Sequence, residues 1–234
     1  MKNAESPASP RSANPRERAD RVHRRIFWAL QIIMCLTLPV AIYERQWATA
    51  LITLAIITLM FLPTALGDRL NVDIPKEFET LALLFVFAAL FLGEVRGYYQ
   101  RFWWWDVVLH TTSGLLLGIL GFLLVYILNE TDRIDLKMRP LFVAFFALVF
   151  AVAMGALWEI FEFAMDQIFG TNMQKPMLGD PSGLTDTMWD LIVDTIGALL
   201  TSVLGWWHMR NRRQSFFDQW IHKFVERNPR LFTH

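Results

Sequence analysis

Six of the seven acidic residues within residues 158–194 of this 234-residue chain lie on stretches that are otherwise apolar. Glu159, Glu162 and Asp166 come first; after a loop of Gly, Pro and Met come Asp186, Asp190 and Asp194. On a helix that advances about 100° per residue, the spacings i, i+3, i+7 and i, i+4, i+8 each confine three acids to one narrow stripe. Two acidic stripes in an apolar setting must face a common partner, most simply each other. Carboxylates gathered in a low-dielectric place raise one another's pKa, so they need protons or a bound cation. Arg96, Arg101 and Lys175 are the basic residues available on the side of the membrane where these acids are expected, all in loops. An oxygen-rich set with one imidazole suits Mg²⁺, Mn²⁺, Ca²⁺ or non-haem iron better than a structural zinc, which prefers Cys and His.

The elements that must hold these acids are membrane helices. The chain is 54% hydrophobic with 10 Trp and 19 Phe, beyond what a soluble domain of this size carries. The reading is an all-α polytopic membrane protein with six transmembrane helices, at about residues 26–43, 47–66, 78–92, 107–128, 141–168 and 186–207. The third is short for a bilayer and has to thin it locally or use Gly93 and Glu94 at the interface. Residues 1–25, rich in Pro, Ser, Ala and Arg, read as a disordered basic tail. The segment after them has no small-residue cleavage site behind it and reads as a retained anchor. Residues 208–234 form a basic tail in which Phe216, Phe217, Trp220, Ile221, Phe224 and Val225 recur at helical spacing. That tail suits an amphipathic helix on the lipid surface or one packed on the ends of the spans.

The distribution of Lys and Arg orients this scaffold. With the amino terminus inside, the cytoplasmic segments hold 18 Lys and Arg against 4 outside, which fits the positive-inside rule and puts both termini in the cytoplasm. Net charge is zero, so nothing points to nucleic acid. The one cysteine, Cys35, lies in an apolar run and implies neither a disulfide framework nor a thiolate metal cluster. The Phe102 to Trp105 run reads as an interfacial aromatic belt.

Once topology is assigned, depth becomes informative. Asp106 and His110 share a face in the outer part of the fourth span, with Ser113 continuing it. The acids of the fifth and sixth spans fall in the same outer layer, while the inner halves carry no charge. The expected picture is a polar cup open to the outside and closed below by apolar packing. Some members have ordinary explanations as well. Asp106 is equally a helix N-cap, and Asp186 sits where the helix dipole favours any carboxylate. Asp166, near a helix carboxyl end, has no such local reason, and intramembrane carboxylates are functional by default. The expected ligands are His110, Glu162, Asp166, Asp190 and Asp186. His110 is also the candidate proton carrier, and Glu159 and Asp194 are the groups that orient the site from below and serve its chemistry.

The segments WWWDVVLHTTSG (103–114), WEIFEFAMD (158–166) and DTMWDLIVDTIGALL (186–200) resemble three blocks of the YjdF-type family of bacterial inner-membrane proteins. A more distant similarity runs to the VanZ-like membrane proteins. The resemblance implies a bacterial multi-span architecture in the inner membrane and a joint role for His110, Glu159, Glu162, Asp166, Asp186, Asp190 and Asp194. It supplies no reaction.

Three functional readings follow. In the first, the cup binds a divalent metal ion and acts on a lipid or lipid-linked substrate, with the 170–184 loop as a lid. In the second, the acids are relay sites of a proton- or cation-coupled transporter, which would need a path through the inner halves or across a homodimer. In the third, protonated carboxylates hydrogen-bond between the helices of a non-catalytic assembly or sensor protein.

Overall fold

The computed structural model describes residues 15–62, 65, 69, 75–130, 138–211 and 227–228. Among them every named element is helical: α1 (Pro15–Tyr43), α2 (Trp47–Leu59), α3 (Lys76–Val86), a π-helical continuation (Phe87–Val95), α4 (Tyr98–Arg101), α5 (Trp104–Glu130), α6 (Pro140–Phe169) and α7 (Leu184–Asn211). Five of these stretches are long and apolar enough to cross a membrane: Glu17–Tyr43, Lys76–Val95, Trp104–Val125, Pro140–Phe169 and Leu184–Arg210. The exposed surface of the helices is rich in Leu, Ile, Val, Phe and Trp, as a lipid-facing surface must be. Helix α2, at 13 residues, is shorter than a span. The expected amphipathic helix around Phe216 to Val225 lies outside the described residues, as do residues 1–14.

Two boundaries differ from the expectation. Helix α1 begins at Pro15, inside the stretch read as a disordered tail, so that residues 15–25 are helical. Pro is preorganised for a first helical turn. His23 then fixes the extension, its Nδ1 2.8 Å from Thr80 Oγ1 and its Nε2 3.4 Å from Glu79. The same network lengthens the third stretch. Glu79 is buried but held by Lys76 Nζ at 2.9 Å on both oxygens, so the charged residues before the apolar run enter the helix. The stretch becomes 20 residues, no longer too short, and ends in π-type turns, as in the 2.9 Å bond from Arg96 N to Phe91 O.

The helices form two groups. α1, α2, α3 and the π segment pack around Leu30, Met34, Ile56, Met60, Leu83, Phe87 and Phe91. α5, α6 and α7 pack on one another by small residues, and the π segment and α4 touch α5 to join the groups. A side chain at Gly114 would run into the Asp194 carbonyl, and one at Gly197 into the Thr111 carbonyl, so α5 and α7 lie backbone to backbone. Further along, Gly121 approaches Ala147 and Gly205 seats the Phe122 ring, so that the helices stay close toward that end of the three-helix group. The close approach of α5 and α7 is what sets His110 opposite Asp190 and Asp194.

Candidate functional site

His110 sits at the centre of the candidate site, with carboxylates on both sides of its ring. Nδ1 is 3.3 Å from Asp194 Oδ2 and 4.0 Å from Glu159 Oε1. Nε2 is 3.5 Å from Asp106 Oδ1 and 3.7 Å from Asp190 Oδ2. The four acids come from three helices. α5 supplies Asp106 one turn before His110, α6 supplies Glu159, and α7 supplies Asp190 and Asp194 one turn apart. Stripes at helical spacing therefore do converge, as their periodicity requires.

Asp194 is the best supported of the four. Ser113, one turn after His110, hydrogen-bonds its Oδ1 and also lies 2.8 Å from the His110 carbonyl. Gly155 on α6 makes the room, since a Cβ there would stand 2.7 Å from Asp194 Oδ2. With Nδ1–H donating to Asp194, the Nε2 lone pair is directed to the side where Asp106 and Asp190 stand. One ligand atom from each of Asp106, His110 and Asp190 lies within 4.8 Å of the others, a grouping that can hold a metal ion. Carboxylate oxygen and imidazole nitrogen are the donor types a hard or borderline divalent ion takes.

Two acids in the site have buried oxygens that accept no hydrogen bond. Both oxygens of Glu159 and Oδ1 of Asp190 are buried without a hydrogen bond, although the Thr187 hydroxyl lies beside Glu159 outside bonding geometry. Glu159 is 4% exposed and Asp190 1%. A buried carboxylate without a donor is costly in protein interiors, so these groups call for a proton or a cation. Six carboxylates and one imidazole share this end of the three-helix group, and the imidazole can balance only one of them.

The remaining sequence candidates are placed differently. Glu162 is buried and accepts a 2.8 Å bond from Trp158 Nε1, one turn back on its own helix. Asp186 is buried in the first turn of α7 and accepts the Lys175 backbone N–H at 2.6 Å. Asp166 turns away from His110 into the 170–183 loop. Its carboxylate accepts from Thr171 Oγ1 (2.6 Å), Met173 N (2.7 Å) and Gln174 N (2.9 Å), so it organises the loop. Asp106 moves the other way. Because α5 starts at Trp104, Asp106 is inside the first turn and reaches His110 rather than standing as a cap before the helix.

Residues beyond the acid stripes complete the site. Tyr99 of α4 lies against Gly93, where a side chain would collide with its ring, and has the Lys175 ammonium 5.4 Å from its ring centre. Burial, then the charges of Asp106, Glu94, Glu162 and Asp190, push its phenol above the ordinary tyrosine range, so it stays a neutral O–H beside the acids. Lys175 pairs with Glu94 at 3.1 Å. The sequence carries a signal for these only in retrospect, as a Gly-Glu pair at the end of an apolar run and a lone basic residue in an acidic loop.

A family described as "Predicted membrane protein (DUF2238)" matches residues 26–211, which include both helix groups and every residue of the site. An uncharacterised protein of Thermotoga maritima is 30% identical over 126 residues, covering 53% of this chain. The chain spans 59% of the length of that relative. No solved structure matches.

Proposed function

The chain belongs to the DUF2238 family of predicted membrane proteins, and for this multi-pass protein we propose that the site around His110 binds a divalent cation. Asp106, His110 Nε2 and Asp190 would be its ligands. The observation that carries this reading is the convergence of those three ligand atoms within 4.8 Å, next to buried carboxylate oxygens that accept no hydrogen bond. Asp194 and Ser113 act behind the imidazole, fixing its tautomer and direction as outer partners do in histidine metal sites. Glu159 stands ready as a further ligand or as a proton acceptor beside the ion. Glu162 and Asp186 add negative charge around it while they anchor Trp158 and the loop, and Asp166 acts through the loop alone.

A cation held this way can polarise a substrate oxygen or lower the pKa of a bound water. A lipid or lipid-linked substrate is the class we assign, because the helices that carry the site present apolar surface to their surroundings. The YjdF-type affiliation, the bacterial inner membrane, six spans and cytoplasmic termini belong to the same proposal, with residues 47–66 as the second span. In that topology the site lies in the outer layer of the membrane. The transporter reading is disfavoured by the packing of the opposite half, where Gly118 meets Thr201, Gly121 meets Ala147 and Phe122 meets Gly205.

Titration of purified protein with Mn²⁺, followed by electron paramagnetic resonance, tests the ligand set. Wild type is expected to remove one Mn²⁺ per chain from solution, with binding lost in Asp106→Asn and in His110→Gln. Full binding in both variants would reject these ligands. A screen of lipid phosphoesters and lipid-linked precursors for metal-dependent turnover then tests the substrate class.

A further inference from the structure

The acids of the site are shut in. Glu159, Glu162, Asp186, Asp190 and Asp194 are each 9% exposed or less, and only the edges of Asp106 and His110 side chains reach the surface. A hydrated ion or a substrate therefore needs an element at that end to move. Helices α5 and α7 lie backbone to backbone at Gly114 and Gly197 and α6 fits against the Asp194 side chain at Gly155, whereas the 170–183 segment at that end is not helical.

This strap is pinned at defined points. Asp166 holds its first half through Thr171, Met173 and Gln174. Gln174 then caps the site, its Nε2 2.7 Å from Thr187 Oγ1. Lys175 makes the one connection to the other helix group that the ion pairs of the strap show. Its backbone N–H goes to Asp186, inside the site, while its ammonium crosses to Glu94 Oε1 of the π segment at 3.1 Å. The same ammonium donates to the Asn172 carbonyl at 2.5 Å and lies over the Tyr99 ring. The Lys175 side chain is only 14% exposed, so this pair is partly desolvated and stronger than a surface pair. Both ends of the strap are glycines with left-handed backbone, Gly170 at φ 63° and Gly183 at φ 80°, conformations in which the chain can pivot at no side-chain cost.

We propose that residues 170–183 are a gate over the site and that the Lys175–Glu94 pair is its latch, release of which lets the strap turn about Gly170 and Gly183 and opens the way to His110. What enters is the cation of the proposed function, and in that respect the inference rests on that reading. The latch itself rests on contacts alone.

Thr187 is the reporter, because Gln174 of the strap covers it. In a Cys35→Ser background, Thr187→Cys is labelled with iodoacetamide, an uncharged reagent whose approach does not depend on removing a lysine. Lys175→Met and Glu94→Gln are each expected to speed labelling about tenfold, as loss of one charged hydrogen bond from the closed state would. The double variant should be no faster than the faster single one, and Lys175→Arg should restore slow labelling. Equal rates in all variants, including no labelling in any, overturn the gate. Mn²⁺ uptake on the same proteins separates the two ideas. Faster labelling without any Mn²⁺ binding keeps the gate and rejects the cation site; Mn²⁺ binding with unchanged labelling does the reverse.

Discussion

His110 has a carboxylate at every approach to its ring, and the two sides of the ring are not equivalent. On the Nδ1 side Asp194 is itself held by Ser113 and fitted against Gly155. On the Nε2 side Asp106 and Asp190 stand farther off, with Asp190 Oδ1 unsatisfied. A fixed side and an unsatisfied side are what a histidine ligand and its supporting carboxylate require. Replacing the support should weaken the site without emptying it. Ser113→Ala and Gly155→Ala are each expected to reduce Mn²⁺ affinity by roughly 10–100-fold while the protein keeps its melting temperature within a few degrees. Wild-type affinity in both would mean that the orientation of His110 does not depend on Asp194. Asp166 offers the contrast. Asp166→Asn should leave the affinity near that of wild type and instead quicken proteolysis within residues 170–183, because its bonds are all to that strap.

At the scale of elements, the site depends on how closely α5 and α7 approach. Gly114→Val and Gly197→Val would each press a side chain onto a backbone carbonyl, and a cost of about 1–3 kcal/mol or more is expected from such overpacking. Thermal unfolding in detergent measures it, and an unchanged midpoint would show that the two helices can separate freely. The strap has its own electrostatics. Asp180 accepts from the Ser182 and Thr185 backbone N–H groups and hydroxyls, and these bonds hold its carboxyl well below the usual carboxylate range. A carboxyl depressed on folding contributes above its unfolded pKa and loses that contribution as pH falls through the depressed value. The turn before α7 should therefore stay intact at mildly acidic pH in wild type, and Asp180→Ala should lose amide protection at Thr185 at all pH values, read by hydrogen exchange.

The acid stripes were legible because periodicity fixes direction: Glu159, Asp190 and Asp194 all reach His110 as their spacing demands. Asp166 has the same spacing and a different outcome. It lies so near the end of α6 that three donors of the following loop are closer than the helix neighbours, and local bonding took the carboxylate. Asp106 was ambiguous because one residue in the helix start decides between cap and first turn, and the start depends on how the aromatic run packs. The third stretch and the beginning of α1 are longer than hydropathy implies, since the network of His23 and Lys76 around the buried Glu79 is a tertiary feature that no window of hydropathy contains.

For the whole molecule, two helix groups meet at the π segment, and the site belongs to the carboxyl-terminal one. The first group contributes Glu94, with Tyr99 on the connecting α4 beside it, so it is the wall against which the proposed gate would open. The proposed topology puts both termini in the cytoplasm, and reporter fusions check this directly. Alkaline phosphatase joined after residue 234 should be inactive in cells, and phosphatase activity there would require an odd number of crossings. The central claim, a cation held by Asp106, His110 and Asp190, is tested most directly by the metal content of protein purified in detergent, measured by elemental mass spectrometry. Close to one equivalent of a divalent metal is expected in wild type, absent from His110→Ala and from Asp190→Asn. Wild-type protein that carries no metal, even after incubation with Mg²⁺, Mn²⁺, Ca²⁺ and Fe²⁺, would contradict the account and leave protons as the charges that balance the site.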